Sequence, residues 1–247
     1  MEELRKVKCV ISYDGSSFNG FQSQKDVRNI QDEIELALTT IHKEEQRLVS
    51  SGRTDRGVHA YGQVISFVTK LNLSEKQWCR ALNSLLPSDI HVLKVEFVAT
   101  DFHARLSAKA KTYCYYLNMK EYNPLERNYV YQYNKHLYLE PMIKAAQLFV
   151  GKHDFRNFCS NSASEVISFE RFIYSFTISE VDGLLLFRVK GSGFLRYMVR
   201  MLVGTLIAIG AKKEKEKYIL ERLDKQENMV TIYNAPSMGL YLEEVEY

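Results

Sequence analysis

The strongest chemical signal lies in residues 51–60, which read SGRTDRGVHA and hold one carboxylate, that of Asp55, between two arginines and two glycines. Nearby positive charge favours the ionised form of a carboxylate. Guanidinium groups suit phosphates and stacked bases, and glycine permits tight turns and close approach of a ligand. The run therefore indicates a reactive carboxylate in a loop that binds a nucleotide. The competing interpretation is an ordinary turn in which Asp55 bonds its own backbone.

The composition is that of a folded globular protein with one large domain or two small ones. Of the 247 residues, 46% are hydrophobic and 26% are charged, which excludes an intrinsically disordered chain. The formal net charge is only +3. Attraction to a nucleic acid would therefore have to come from local clusters of basic residues.

The cysteines and histidines predict no metal site. The four cysteines are far apart and form no Cys-x-x-Cys pair, which disfavours a zinc site built from paired cysteines. His59 and His103 have no partner at ligand spacing. A glycoside hydrolase would need a second carboxylate across its cleft, and the Asp55 loop supplies none.

The chain is expected to be cytoplasmic. Its first residues, Met1–Lys6, are charged and show no signal peptide. The most apolar run, Met201–Ile209, is too short to cross a bilayer. Scattered single cysteines fit a reducing compartment.

The first half of the chain alternates strand and helix patterns. Apolar alternation predicts strands at 7–13, 48–51, 64–68 and 90–98. Helical periodicity predicts one helix capped by Asn29 and another whose capping box is Ser74 with Gln77, stopped by Pro87. The order is strand, helix, strand, strand, helix, strand, with the Asp55 loop between the second and third strands.

The second half repeats this order. Strands are predicted at 112–118, 172–178, 184–189 and 239–245, with Asp182-Gly183 as a hairpin turn. Helices are predicted from Pro141 to a stop at Gly151, along an amphipathic stripe at 195–209, and in a charged segment at 215–223.

This repeated order predicts an α+β fold of two pseudo-symmetric ferredoxin-like (split β-α-β) domains. The N-terminal domain is expected at 1–105 and carries the catalytic loop. The C-terminal domain is expected at 106–247 and completes an RNA-binding cleft. If the two sheets join edge to edge, the cleft lies centrally between them, and interdomain clefts are common ligand sites.

Several separated segments of the chain resemble the TruA-type tRNA pseudouridine synthases, and the match spans nearly the whole chain at family-like spacing. The segments are Tyr13-Asp14-Gly15 with Phe18, Gly20, Phe21 and Gln22; the Asp55 loop; Phe102–Arg105 with Lys111 and Tyr113; Gly193–Leu195 with Met198–Arg200; and Ala235-Pro236 with Gly239–Leu242.

The resemblance implies an isomerase that converts uridine to pseudouridine in tRNA. The N-glycosidic bond of a uridine breaks, the uracil rotates, and it rejoins the sugar through carbon, with no cofactor or metal. As the family does, the protein is expected to act on uridines 38 to 40 of the anticodon arm. The resemblance also suggests a homodimer.

The same resemblance assigns roles to particular residues. Asp55 matches the catalytic aspartate, which could attack the sugar as a nucleophile or remove a sugar proton as a base. Arg200 matches the arginine that pairs with this carboxylate. Tyr113 matches the aromatic residue that stacks on the target uracil once it is held out of its helix. Without the resemblance, Arg200 would be read as a solvated helix arginine and Tyr113 as a core strand tyrosine.

The expected substrate-binding residues include one apolar residue and three basic ones. Leu240 matches an apolar wall of the base pocket. Arg53 resembles the residue that helps to extrude or hold the target nucleotide. Arg105 and Lys111 are expected phosphate contacts, and each alone could equally be a surface charge.

The chain departs from the family pattern in two places. Arg56 stands where a small residue is usual, and residues 229–234 (MVTIYN) replace the usual small-residue stretch before the last segment. Both bear on which nucleotide is recognised. Two alternatives stay open: a non-catalytic protein that binds and remodels RNA, and a pseudouridine synthase that acts on ribosomal RNA.

Overall fold

The computed structural model describes residues 4–160, 164, 166–224 and 229–247. The chain divides into two compact units: Met1–Lys109 with Tyr241–Tyr247, and Ala110–Leu240. The first unit therefore draws on both ends of the chain. The predicted domains, 1–105 and 106–247, stay a prediction.

Strands and helices alternate along the described residues, so the protein is α+β, as predicted. In chain order the elements are β1 (Arg5–Tyr13), α1 (Ile30–His42), β2 (Val49–Ser50), β3 (His59–Thr69), α2 (Glu75–Leu85), β4 (Ile90–Val98), β5 (Ala110–Asn118), β6 (Tyr131–Gln132), α3 (Leu139–Gln147), β7 (Gly151–Asp154), β8 (Glu170–Val181), β9 (Leu184–Gly191), α4 (Met198–Gly210), α5 (Lys217–Asp224) and β10 (Leu240–Glu246).

The sheet of the first unit is mixed. β1 lies between β3 and β4 and is antiparallel to both. β2 pairs antiparallel with β3, whereas β10 pairs parallel with β3, with Tyr241 opposite His59. The loop that carries Asp55 connects β2 to β3 and therefore enters the sheet beside the last strand of the chain.

The helices of the first unit begin as the sequence predicts. The Asn29 side chain accepts a hydrogen bond from the amide of Asp32 at the start of α1, and Ser74 with Gln77 forms the capping box of α2. Substituting a cap of this kind by alanine costs about 1 kcal/mol. The side chains of Phe67 and Trp78 meet edge to face at 5.1 Å, which joins β3 to α2 in the core.

The sheet of the second unit is antiparallel in the order β5, β9, β8, β7. The predicted hairpin between β8 and β9 is confirmed, because Asp182 and Gly183 both have positive φ, at 51° and 78°. This is the backbone of a type I′ turn. β6 adds a short parallel pairing to β5.

The predicted apolar stripe of helix α4 is buried, but so is the rest of the helix, so only the expectation of an exposed opposite face is wrong. Twelve of its thirteen residues are buried, and Arg200 is the one exception. A helix that is apolar on every face belongs inside a domain. Small residues permit this burial: a Cβ at Gly204 would lie 2.9 Å from the backbone of 233–235, and one at Gly210 would lie 2.2 Å from Sδ of Met142.

Two features of β7 and β8 differ from the predictions. Gly151, expected as a helix stop, begins β7 with φ +110°. In β8 the alternation of Phe172, Tyr174, Phe176 and Ile178 does not keep one face, because a register shift between Ile173 and Ser175 reverses it. Phe172 and Tyr174 are 43% and 46% exposed, whereas Ile173 is fully buried.

The last strand was expected to complete the second half, but Tyr241–Tyr247 group with the first unit, where β10 extends the edge of β3.

Among the described residues, no helix is long and apolar enough to cross a membrane. Within the same residues, no three His, Cys, Asp or Glu side chains are grouped so that they could hold a metal ion.

Candidate active site

Hydrogen bonds of Thr54 hold the Asp55 loop in place. The Thr54 and Tyr13 hydroxyls lie 2.8 Å apart inside the first unit, and the Thr54 carbonyl accepts a hydrogen bond from the amide of Phe21 at 3.1 Å. On the other side, the amide of Val58 donates to the carbonyl of Asp55 at 3.1 Å and closes a turn. The half-buried Asp55 side chain therefore projects from a backbone that is held on both sides.

Two glycines let neighbouring segments reach this loop. A Cβ at Gly15 would lie 2.0 Å from the carbonyl oxygen of Val58, a distance that no side chain tolerates. Gly20 has φ +93°, and a Cβ there would lie 2.8 Å from the Thr54 carbonyl. Glycine is required at both positions. Both belong to the first segment of the family resemblance, which thus packs against the loop.

His59, at the exit of the loop, serves as a support. Its Nδ1 accepts a hydrogen bond from the amide of Gly15 at 3.1 Å. The same nitrogen lies 3.2 Å from Oδ1 of Asp14. The ring also stacks on Tyr241 at 4.6 Å and is 1% exposed. These contacts account for His59 without a metal.

Sequence reasoning missed Gln63, which holds the entry of the loop. Its Oε1 accepts a bond from the Ser51 hydroxyl at 2.6 Å, and its Nε2 donates to the carbonyl of Gly52 at 2.9 Å. Gln63 is fully buried, and buried polar side chains are normally fully hydrogen-bonded. The available signal was an amide directly before the apolar pair Val64 and Ile65 in a predicted strand.

The basic residues expected from the first unit are exposed. Arg53 lies in the Asp55 loop, and Arg56 follows the carboxylate. Arg105 lies on a separate turn, where its amide donates to Nδ1 of His103 at 3.1 Å. The Tyr247 hydroxyl donates to the carbonyl of Ala104 at 2.7 Å and ties this turn to the end of the chain.

Hydrogen bonds to Ala235 hold Arg200 in place in the first turn of α4. Its Nε donates to the carbonyl of Ala235 at 2.7 Å, and its own carbonyl accepts from the amide of Ala235 at 2.9 Å. Its guanidinium carbon lies 4.9 Å from the centre of the Tyr197 ring, a cation–π distance. These contacts fix the direction of the charged group.

The tyrosines of β5 lie in the same unit. Tyr113 is 8% exposed and meets Phe194 edge to face at 5.2 Å, on the segment that leads to α4. The hydroxyl of Tyr115, a residue without an assigned role from sequence, donates to the Pro236 carbonyl at 2.9 Å. Burial raises the pKa of Tyr115 well above its ordinary range; Tyr131 adds to the rise and Arg200 opposes it.

Leu240 and Lys111 occupy strand positions. Leu240 is 4% exposed and follows the turn 237–239, where a Cβ on Gly239 would lie 2.6 Å from the carbonyl of Tyr116. Lys111 is half-buried opposite Gly191 on β9. Arg200 is joined by two hydrogen bonds to Ala235, which lies in the segment that precedes Leu240.

The sequence pattern of the tRNA pseudouridine synthase family matches residues 9–106 and 145–247. tRNA pseudouridine synthase A 1 of Bacillus cereus is 45% identical over 246 residues, which cover 99% of each chain. tRNA pseudouridine synthase A of Bacillus subtilis is 42% identical over 245 residues, which cover 98% of this chain and 99% of its own. The chain belongs to the tRNA pseudouridine synthase family.

As a member of this family, the protein is an isomerase that converts uridine to pseudouridine in tRNA. A solved archaeal box H/ACA sRNP Nop10–Cbf5 complex aligns at 15% identity and a TM-score of 0.35, over 82% of this chain and 42% of that chain. That alignment supports no conclusion.

A pseudouridine synthase needs a group that assists cleavage at the anomeric carbon and a surface that holds a detached uracil. Two of the residues expected from the sequence have side chains of these kinds. Asp55 is a carboxylate on a rigid loop, and Tyr113 is an aromatic side chain beside the start of α4. A carboxylate can act on a sugar as a nucleophile or as a base.

Proposed function

We propose that Asp55 is the catalytic carboxylate and that the enzyme modifies uridines 38 to 40 of the tRNA anticodon arm. The proposal rests on one observation above others. The residues that resemble the family's motifs in the first unit, Tyr13, Gly15 and Gly20, pack against or bond to the loop that carries Asp55.

The reaction is balanced without an external reactant. The bond between C1′ and N1 of uridine breaks, and a bond between C1′ and C5 forms. The hydrogen on C5 leaves as a proton, and N1 of the rotated uracil gains one. Asp55 assists either by attacking C1′, which gives a covalent sugar ester that later collapses, or by removing a proton from the sugar.

Three residues of the second unit are proposed to act with Asp55. Arg200 pairs with the carboxylate and keeps it ionised. Tyr113 stacks on the uracil after the nucleotide leaves its helix. Leu240 forms an apolar wall of the same pocket. Support comes from the fastening of Arg200 to Ala235 and from the burial of Tyr113 and Leu240.

Arg53, Arg105 and Lys111 are proposed to bind the tRNA backbone, with Arg53 also holding the extruded nucleotide. Guanidinium groups bind phosphate in a bidentate manner and stack on bases. The exposure of Arg53 and Arg105 supports this proposal. Arg56 would add a further charge directly beside the reacting carboxylate.

The arrangement that these roles require is also a proposal. The two ferredoxin-like halves would be pseudo-symmetric, with their sheets joined across a central cleft where Asp55 and Arg200 meet. The enzyme would act in the cytoplasm as a homodimer, in which one tRNA could touch both subunits. Family membership supports this arrangement.

Release of tritium from C5-labelled tRNA tests the catalytic assignment. Asp55→Asn should lower turnover by at least about 1,000-fold, in the range attributed to a positioned acid–base group or beyond, while tRNA affinity changes little. Asp26→Asn is the matched control. Asp26 is exposed with φ 59°, and asparagine tolerates that conformation. Equal turnover in the Asp55 variant would reject the assignment.

Target choice needs its own experiment. Transcripts in which uridines 38 to 40 are replaced by cytidine should release no tritium, while unmodified transcripts release it. Pseudouridine mapping in a strain that lacks the protein would reveal whether ribosomal RNA is affected instead. If the protein only bound and remodelled RNA, no transcript would release tritium, although binding persisted.

A further inference from the structure

The second unit contains a cavity of about 160 Å³ on the far side of the segment that fastens Arg200. Its floor is formed by small and apolar residues of α4, including Gly204, Ile207 and Ala208. One wall is formed by 233–236, and the opposite wall by Tyr131 and Tyr133. A cavity of about 150 Å³ can bind benzene, so this space can hold one flat ring.

Three half-buried tyrosines surround this cavity: Tyr131, Tyr133 and Tyr233. The rings of Tyr131 and Tyr133 form a corner, with centroids 5.8 Å apart at 66°. The Tyr233 hydroxyl donates to Oε1 of Glu214 at 2.9 Å. Burial, with the nearby Glu214, raises the pKa of Tyr233 to about 12, so its ring stays neutral. The aromatic surfaces are therefore preformed and uncharged.

One lysine, Lys213, is among the residues that line the cavity. It is exposed. The carboxylate nearest to it in the chain, that of Glu214, already accepts a bond from Tyr233. The Nζ of Lys212 lies over the ring of Tyr138, 3.6 Å from the ring centre. Lys213 is thus the exposed ammonium group among the residues that line the cavity.

The cavity wall is shared with the proposed catalytic residues. Ala235 contributes to the wall, and its carbonyl accepts the 2.7 Å bond from Arg200. Pro236 also contributes, and its carbonyl accepts the 2.9 Å bond from Tyr115. Tyr233 lies in the stretch 229–234, which departs from the usual family pattern. The cavity is therefore linked through its lining residue Ala235 to Arg200.

We propose that this cavity is a second RNA-binding site, which takes the base of one unpaired nucleotide. The base would stack on the tyrosines while its phosphate meets Lys213. Every base has a flat π-face, so aromatic side chains bind bases with little sequence preference. This inference rests on tRNA being the substrate. A free nucleotide has the same chemistry, and the experiments below separate the two sources.

The test compares tRNA binding by two variants and their matched controls. Tyr133→Leu keeps the cavity wall apolar but removes the aromatic face, and it should weaken tRNA affinity and raise KM about fivefold or more. Its effect on kcat should be less than twofold. Tyr174→Leu, an exposed tyrosine on β8, is the control and should leave both unchanged.

Lys213→Ala should reduce the slope of log affinity against log salt by about one, as expected for one lost phosphate contact. Lys217→Ala removes the same charge from α5, outside the cavity, and should not reduce it. A Tyr133→Leu variant that folds and binds tRNA like the parent protein would overturn the proposal. A change in the oligomeric state of the Tyr133→Leu variant, measured by light scattering, would also overturn it, because the cavity would then be a contact between subunits.

Uridine and adenosine monophosphates identify the source of the base. If either competes with tRNA in the parent protein but not in Tyr133→Leu, the cavity accepts a free nucleotide. If neither competes while the variant still loses tRNA affinity, the base belongs to the tRNA. Failure of this inference would leave the loss of turnover in Asp55→Asn unaffected, so the two proposals fail separately.

Discussion

The Asp55 loop and the first turn of α4 hold their charged side chains by different means. The loop is irregular, and main-chain hydrogen bonds and close contacts at Gly15 and Gly20 determine its shape. The start of α4 is regular, and burial determines its position, because every residue of the helix except Arg200 is buried. The backbone that carries Asp55 is held by the bonds of Thr54 and Val58, whereas the Arg200 side chain itself bonds to Ala235.

This difference predicts how each region fails. A loop held by close contacts should respond to added volume, because it has no room for a methyl group. The Arg200 side chain, held by a hydrogen bond to Ala235 and a cation–π contact with Tyr197, should respond to loss of the guanidinium group, while the buried helix beneath it survives. Substitutions in the Asp55 loop should therefore lower both turnover and the free energy of unfolding. Substitutions of Arg200 should lower turnover with little change in the free energy of unfolding.

Among substitutions that alter the supports of the two regions, the largest effect is expected for Gly15→Ala. Its Cβ would overlap the carbonyl of Val58, 2.0 Å away, and the loop must move. Displacing a reactive group by about 1 Å can cost about 100-fold in rate, and overpacking costs about 1–3 kcal/mol of stability. Tritium release and urea unfolding measure the two quantities.

Gly193→Ala is the control for this substitution. A Cβ at position 193 would lie 3.9 Å from the nearest side-chain atom, on Arg171. The free energy of unfolding of the Gly193→Ala variant should therefore change by less than about 0.5 kcal/mol. If both alanine variants behaved alike, close packing would not be what shapes the loop.

A smaller effect is expected for Arg200→Lys. The substitution keeps the positive charge but removes the Nε–H that donates to Ala235. A lysine is not a conservative replacement at a site that depends on guanidinium geometry. Turnover should fall about tenfold, with stability lowered by about 1 kcal/mol or less.

Arg127→Ala, on an exposed loop, provides the comparison for lost surface charge. Should Arg200→Lys instead unfold the protein, the helix end would depend on Arg200 more than its burial pattern indicates. Circular dichroism melting separates these outcomes.

A weaker effect is expected for Tyr13→Phe, which removes the hydroxyl next to Thr54 and leaves the loop packing intact. The Thr54 hydroxyl loses a buried partner at 2.8 Å, which should cost about 1–2 kcal/mol. Turnover should fall about threefold, because Thr54 precedes Asp55 and its carbonyl still accepts from Phe21. Tyr174→Phe, at an exposed site, should change neither value.

The smallest effect concerns a property that the two regions share. Burial raises the pKa of Tyr13, beside the loop, and of Tyr115, beside Arg200. A raised folded-state pKa contributes stability that is fully present below the unfolded value of about 10 and is lost as the pH rises above it.

At a pH of about 10.5, each of these tyrosines should therefore contribute about 1 kcal/mol less stability than at pH 8. Urea unfolding between pH 8 and 10.5 measures the loss, which should be smaller in Tyr13→Phe. An equally steep loss in that variant would show that Tyr13 does not titrate in this range.

The local features of the fold were predictable because they depend on short-range rules. The cap at Asn29, the box at Ser74 and the turn at Asp182-Gly183 each satisfy backbone groups within a few residues. Failures arose where distant packing decided the outcome. The stripe of α4 looked amphipathic, but close contacts at Gly204 and Gly210 bury its other face.

The candidate site divides in the same way. The types and spacing around Asp55 indicated reactive chemistry, and the family match followed from the sequence. The supports of the site, Gln63 and Tyr115, were not predicted, because their partners lie 11 and 121 residues away in the chain. Hydrogen bonds over such separations leave no periodic signal in the sequence.

The sequence by itself determined the α+β class and the family, and it singled out Asp55 as the candidate carboxylate, since residue types and short spacings carry that information. Tertiary structure decided which neighbours hold each residue: that Gly15 and Gly20 shape the Asp55 loop, that Ala235 orients Arg200, and that β10 joins β3 in the first unit. The reason is physical. Close packing and buried hydrogen bonds join residues distant in the chain, and only the folded backbone brings them within reach.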